Sequence, residues 1–572
     1  MFAPAVNNAG HRPDAVRQRP HWSEALAHPI RSFHTVRHLH AKQIIYRALR
    51  SVQPVRRTTF DRPVPSMLRR TSVHPCDVTS SMFDGRSFCF LNRRIVWGGS
   101  DRWQPAGADD LWVFNLHYFR YLPGIPSHAA QALLADWMSV HHGPHGAGWH
   151  PYPISIRVRE WTEWLCEHRA ADPALRWAMT ESIARQVECL SHRLELDVMG
   201  NHLLENAITL CWAGLSFAGM RADEWLSLGA RLFLRELRNQ TLPDGSHYER
   251  SPMYQALLAE AILRLSEVAG QSAKPKAAEI HAASRDAGRR MLRSLARMVH
   301  PDGQYALVND TAFGVAPTLE SLTARFGIPV EVSDPRRHLW SLGASGYAGY
   351  CHEQDRYLIF NAGPIGPNHQ PGHGHADMLS FELSSRGRRV ITDTGVMTYA
   401  PGAARRHDRS TAAHNTIEID GHDQSELWGA FRCGRRPSVA RMWTEERSDG
   451  ATLLGRYRGP RRRWGAVGHE RRIFSNGRLL AFSDVVTAAG PHSAAVRLHV
   501  APGLQLRRSR NAWTIVEPGG RPIAALAGDG LPWSESASPY HPEFGREVER
   551  PCLHASVSFR DRLNLKWLLT LS

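Results

Sequence analysis

Pro371-Gly372-His373-Gly374-His375-Ala376-Asp377-Met378-Leu379-Ser380-Phe381-Glu382-Leu383 changes character halfway along. Its first part sets two histidines two residues apart, each beside a glycine that frees the backbone, and then an acid. From Leu379 onward apolar and polar side chains alternate, the period of a half-buried strand. Met378–Leu383 and Arg388–Asp393, on either side of Ser384-Ser385-Arg386-Gly387, read as a β-hairpin. The stretch predicts polar, chemistry-bearing residues on the edge of a sheet. It also belongs to the half of the chain after Pro335, where the helical period gives way to an alternating one.

Downstream, strands are predicted at Asn415–Ile419, His469–Phe474, Leu479–Val486, Ala495–Val500, Trp513–Val516 and Leu563–Leu569, with Tyr357–Phe360 just before the anchor. Short alternating runs separated by turn residues read as an antiparallel sandwich. Upstream, apolar stripes at helical spacing cover Ala129–Val140, Arg157–His168, Trp177–Leu194, His202–Ala218, Ala222–Asn239, Pro252–Ala269 and Ala283–Val299. Gly or Pro punctuates the joints, so the helices read as hairpins stacked in an array or closed into a ring. The fold class expected is α+β multidomain: an N-terminal extension and wrapping segment (1–105), a helical domain (106–335) and a β-sandwich (340–572). Within the extension, residues 1–22 read as a disordered lead-in, Ile30–Leu49 as an amphipathic helix and 52–75 as a linker.

Composition narrows the function. The 572 residues carry a formal charge of +16, which suits an acidic partner, either nucleic acid or an anionic polysaccharide. The basic residues do not interleave with any RNA- or DNA-binding motif, so no nucleic-acid role is expected. Eight cysteines without a C-x-x-C pair do not suggest a zinc ribbon or a disulfide framework. No apolar run is long enough to span a membrane. Met1 to Pro20 lacks the apolar core of an ordinary signal peptide.

Two polar clusters stand out. In Gly200-Asn201-His202-Leu203-Leu204-Glu205-Asn206, Asn201 and Glu205 share a helix face and His202 lies three before Glu205. One helix end can present an amide, an imidazole and a carboxylate together; a helix cap beside a surface pair would use the same residues. Ser251-Pro252-Met253-Tyr254, after Tyr248-Glu249-Arg250, reads as an N-cap with Pro at the first helical position. Tyr254 then sits in the first turn, where the helix dipole and nearby Arg would lower its pKa. In the strand half, His373, His375, Asp393 and His414 offer enough nitrogen and oxygen for a metal ion. One histidine could instead act as acid or base, and chance loop histidines are the third reading. Arg405, Arg406 and Arg409 could grip a carboxylate or sulfate.

Taken jointly and in order, these segments resemble the heparinase II/III family of polysaccharide lyases, together with Trp149-His150-Pro151-Tyr152-Pro153-Ile154-Ser155-Ile156-Arg157 and Arg409-Ser410-Thr411-Ala412-Ala413-His414-Asn415-Thr416. The resemblance implies an incomplete (α/α) toroid followed by an antiparallel β-sandwich. It implies β-elimination on an acidic, uronate-containing polysaccharide. Asn201, with His202 and Glu205, would hold the uronate carboxylate. Tyr254 would take the C5 proton, and His373 would be the catalytic histidine of the sandwich side. Glu205, Arg157, Arg409 and Tyr248 would contact substrate, and His375, Asp393 and His414 would hold a structural Zn2+. A helix like His34-Thr35-Val36-Arg37-His38-Leu39 resembles members tied to exopolysaccharide assembly. The family implies the periplasm, whereas the polar N-terminus leaves the cytoplasm open. Two other functions fit the residues: a zinc-dependent hydrolase using His375, Asp393 and His414, or a non-catalytic polysaccharide-binding or assembly protein on a lyase scaffold.

Overall fold

The computed structural model describes residues 29–52, 64–65, 82–330, 337–353, 355–460, 465–509, 512–528 and 530–572. The expected lead-in (1–22) and most of the expected linker (52–75) lie outside the described residues, as does Cys76.

Each predicted helix of the first domain forms: Ser127–Val140, Pro151–Glu167, Pro173–His192, Gly200–Ser216, Met220–Gln240, Pro252–Gly270 and Ala277–Ala296. Local capping explains several of the starts. Asp172 accepts from the Ala174 N–H ahead of Pro173, and Ser251 accepts from the Tyr254 N–H ahead of Pro252. The aromatic run after Asp109 is a further helix, Asp110–Tyr118, whose first turn is capped by the Asp109 carboxylate on the Trp112 N–H. Consecutive helices pack as hairpins into the incomplete toroid expected.

The named strands of the second domain pair antiparallel throughout. A five-stranded sheet runs Arg388–Ile391, Phe381–Ser385, Arg356–Asn361, Tyr347–His352, Arg337–Leu342 in spatial order. The predicted hairpin is in register, Arg388 opposite Ser385, and Arg386 and Gly387 supply the positive φ (55° and 74°) of a two-residue turn. A ten-stranded sheet packs behind it. Its spine is Leu479–His499 paired with Arg546–Leu571, so the separate strands predicted at Leu479–Val486 and Ala495–Val500 are one strand. The pairing register shifts between Ala488 and Pro491.

The five-stranded sheet is buried on both faces, and this positions the site. In Arg356–Asn361, Tyr357 and Ile359 join the core of the helical domain, while Leu358 and Phe360 join the core between the two sheets. A continuous apolar run results where a solvated strand would alternate. The two domains are thus fastened through a shared sheet, and the loops at its edge face the helix ends.

The predicted Ile30–Leu49 helix is two helices, Pro29–Val36 and Ala41–Val52. The second restarts because the Gln43 side chain accepts from the His40 N–H at 2.9 Å, half of a capping box.

Candidate active site

The helix Gly200–Ser216 begins against a carboxylate. Met199 and Gly200 both have positive φ (63° and 60°), and a Cβ on Gly200 would lie 2.1 Å from Glu249 Oε1. Glycine is required here, and its absence of a side chain lets Glu249 Oε1 accept from the Asn201 N–H at 2.8 Å. The Asn201 side chain is buried and its amide oxygen has no hydrogen-bond partner. One turn on, Glu205 pairs with Arg159 at 2.5 Å, both buried. His202 does not pair with Glu205; its Nδ1 donates to Glu195 Oε1 at 2.9 Å, and its ring lies 4.4 Å from that of Tyr152. Burial would lower the His202 pKa, but the Glu195 carboxylate outweighs it and raises the value.

Glu249 links the two domains. Its Oε2 stands 3.5 Å from His373 Nε2, on the sheet-edge loop. On the other side of that ring, His373 Nδ1 donates to Asp310 Oδ2 at 2.9 Å. Asp310 also accepts from His375 Nε2 at 2.8 Å and from Arg405 Nη2 at 2.8 Å, and Arg405 Nη1 donates to its second oxygen. Burial would raise the Asp310 pKa, yet Arg405 and the two histidines hold it well below the carboxylate range. One buried carboxylate thereby orients both histidines of the His373-Gly374-His375 segment.

Tyr254 is half-buried in the first turn of Pro252–Gly270. Its ring lies 4.0 Å from that of His373, centroid to centroid, and its hydroxyl is 3.1 Å from the Tyr399 hydroxyl. The expectation of a lowered phenol pKa is corrected: the value is raised well above 10, by burial first and then by Tyr399, Tyr152 and Asp310. The neighbouring arginine in the chain, Arg250, donates instead to the Ser345 carbonyl and Asn361 Oδ1. Tyr399 is half-buried beneath the Arg405 guanidinium, and the exposed Phe431 stands edge-on to it at the rim.

Two predicted substrate contacts, Arg157 and Arg409, are placed differently. Arg157 is fully buried, donating to Gln186, the His117 carbonyl and the Gly148 carbonyl while stacking over Trp137 at 4.2 Å. That burial lowers its pKa to about 9. Arg409 is also buried, and its guanidinium holds the Gly374 and Ala430 carbonyls, so it braces the histidine loop from behind. Tyr248 is half-buried against His247 and His369. Arg405, expected to grip a carboxylate, does so, but the carboxylate is the protein's own Asp310. Glu249, Asp310, Tyr399 and Arg159 were missed. No local pattern marks them, and only the close spacing of Glu249 to Tyr254 hinted at one.

The fold brings His375 and His414 together, with ring centroids 5.4 Å apart, while both oxygens of Asp393 accept from His414 Nδ1 at 2.9 Å. Among the described residues no three His, Cys, Asp or Glu side chains close into a metal-holding group. Four buried donor atoms here nevertheless have no hydrogen-bond partner: His375 Nδ1, His414 Nε2 and both carboxylate oxygens of Asp377. Asp310 and Asp393 each tie down one nitrogen of a histidine and leave the other bare, the arrangement that carboxylates impose on metal-ligating histidines. The donor chemistry fits a cation.

Residues 127–323 match the family model described as Heparinase II/III N-terminus, and residues 334–567 the one described as Heparinase II/III-like, C-terminal. FtsZ-localized protein C of Caulobacter vibrioides is 25% identical over 511 residues, spanning 82% of this chain and 84% of that protein. Heparin-sulfate lyase of Pedobacter heparinus is 24% identical over 302 residues, 48% of this chain and 44% of that one. The crystal structure of heparinase III superposes with a TM-score of 0.67 at 15% identity, covering 97% of this chain and 92% of the other. A mutant of the heparan sulfate lyase HepC from Pedobacter heparinus superposes with a TM-score of 0.60 at 15% identity, covering 92% and 87%. At such identities the superpositions speak to fold.

Proposed function

Because this chain belongs to the heparinase II/III family, we propose that it is a polysaccharide lyase that cleaves an acidic, uronate-containing polymer, such as an exopolysaccharide, by β-elimination. The observation that carries this reading is the Tyr254 ring packed against the His373 imidazole across the domain junction, 4.0 Å between centroids, with Glu249 joining His373 to the backbone of Asn201. A net charge of +16 suits an anionic polymer.

In this reading the uronate carboxylate meets the Asn201 amide and the His202 imidazole, whose charge Glu195 favours. These groups stabilise the negative charge that develops as the C5–H bond breaks. The raised Tyr254 pKa keeps the phenol neutral at rest, so its ready role is the acid. His373, with Nδ1 tied to Asp310, takes the C5 proton on Nε2. The electron pair forms the C4–C5 double bond, the C4–O bond breaks, and the Tyr254 hydroxyl protonates the departing oxygen, with Tyr399 as its hydrogen-bond partner. Each assisted proton transfer is worth about 10²–10⁴ in rate. A Zn2+ would be held by His375 Nδ1, His414 Nε2 and the Asp377 carboxylate, with Asp393, expected from the sequence as a ligand, instead orienting His414 through Nδ1; it would neutralise buried acid and stiffen the loop that carries His373, and it takes no part in the proton transfers.

The test is incubation with a panel of defined uronate polymers, the native exopolysaccharide included, followed by ultraviolet absorbance and mass analysis. Elimination leaves unsaturated ends and fragments one water lighter than hydrolysis would give. Hydrolytic fragments would instead support the zinc-hydrolase reading. Polymer bound but never shortened across the panel would support the non-catalytic one.

A further inference from the structure

The two N-terminal helices are built inside out. In Pro29–Val36, the residues turned toward the body of the protein are polar: Thr35 Oγ1 accepts from Trp428 Nε1 at 3.0 Å, and Arg31 approaches Glu426 at 3.7 Å. In Ala41–Val52, the buried residue is Gln43, whose amide reaches the carbonyls of Asp197 at 3.4 Å and His369 at 3.3 Å. The apolar stripes face the other way. Phe33 is 65% exposed, Ile30 64% and Ile45 56%, and Val36, Ile44 and Leu49 lie on the same outward side. No described residue covers this surface. An amphipathic helix that only completes a fold shows the opposite arrangement, so the outward stripe needs a partner.

Charge selects the partner. Arg37, Lys42 and Arg47 are exposed on these helices or in the turn between them, whereas Arg31 and Arg435 are answered by Glu426, and the sequence has no Asp or Glu from Ala25 to Phe60. Tyr46, 41% exposed, adds an amphipathic ring at the border. An apolar stripe flanked by cations, with no acid along the segment, is the pattern of a helix lying in a lipid–water interface. A protein groove would ordinarily answer some of these cations with its own acids, whereas an anionic bilayer attracts all of them. No helix of the described residues is long and apolar enough to cross a membrane, so the contact is with the surface. We propose that the helices Pro29–Val36 and Ala41–Val52 form a docking surface for an anionic lipid membrane, with Phe33 and Ile45 inserting below the headgroups.

The test is flotation of the full chain with phosphatidylcholine vesicles, with and without phosphatidylglycerol, alongside Phe33→Asp/Ile45→Asp. Neither residue belongs to the catalytic site. The expected result is flotation on the anionic vesicles alone, weakened by salt, and at least about tenfold weaker in the double variant at an unchanged melting temperature. Failure of the wild type to float, or flotation of the variant like wild type, overturns the proposal. So does a lipid-independent dimer by light scattering that the variant dissolves, which would assign the face to a second copy. A lowered melting temperature in the variant would show that the chain itself covers the face, and would overturn it too. None of these outcomes bears on the lyase reading, which is scored by its own products.

Discussion

Replacing Asp310 by Asn should be the most damaging conservative change in the polar network at the domain junction. Asp310, Arg405 and His375 are all fully buried. The carboxylate accepts from His373 Nδ1, His375 Nε2 and both terminal nitrogens of Arg405. An amide has one acceptor oxygen and turns its NH2 toward groups that are already donors. Stranding a buried cation costs about 3–5 kcal/mol, and each unpaired buried donor about 1–3 kcal/mol. The two overlap, so we expect about 4 kcal/mol. With a urea slope near 3 kcal/mol per M this is a midpoint lowered by on the order of 1 M, at unchanged slope. Tryptophan fluorescence and circular dichroism should be followed together, since the two domains need not unfold in one step. The control is Asp310→Asn combined with Arg405→Gln, which strands no cation and should recover more than about half of the loss. A single-variant cost below about 1 kcal/mol, or a double variant as unstable as the single, would refute the claim that Asp310 is held in place by charge.

Tyr254→Phe should lower kcat by about 10²–10⁴ while losing only a hydrogen bond to Tyr399 worth about 0.5–1.5 kcal/mol; retention of more than a tenth of the wild-type rate would remove the phenol from the chemistry. Gly200→Ala forces a side chain onto a residue at φ 60°, 2.1 Å from Glu249 Oε1, so a cost of about 1–2 kcal/mol and displacement of Glu249 are expected, and a variant with wild-type melting and activity would contradict this. His414→Ala should abolish metal content by elemental analysis and lower the melting temperature; wild-type protein that carries no metal and does not respond to added zinc would count against the site. The raised His202 pKa means that its cation is present below that value and lost above it, so binding of a uronate oligomer should weaken as pH rises through it. Glu195→Gln should shift that inflection downward, and an unmoved inflection would sever His202 from the binding step.

Much of the architecture was legible because it is written locally. Ser251-Pro252 and Asp172-Pro173 carry their own helix starts, and Arg386-Gly387 carries its own turn. Elements whose signal is non-local were read less well. Leu479–His499 looked like two strands because its period is interrupted at Gly490-Pro491, and only its partner, Arg546–Leu571, shows that one ladder runs through. The substrate-contact arginines failed for a related reason. Arg157 and Arg409 have the right side chain for gripping an anion, but the fold supplies them with buried carbonyls first.

By itself the sequence determined the change from helical to alternating period, hence the two-domain class, and it brought Tyr254, Asn201 and His373 forward as candidates. The tertiary structure alone decided which group meets which. Asp310 and Arg405 are 95 residues apart, and Asn201 and Glu249 are 48 apart. No local rule joins residues so distant, because the partner of a buried charge is whichever opposite group the packed elements bring within reach. The same holds for the N-terminal helices: their periodicity is plain in the chain, but which side faces water depends on what Gln43 and Thr35 find to bond.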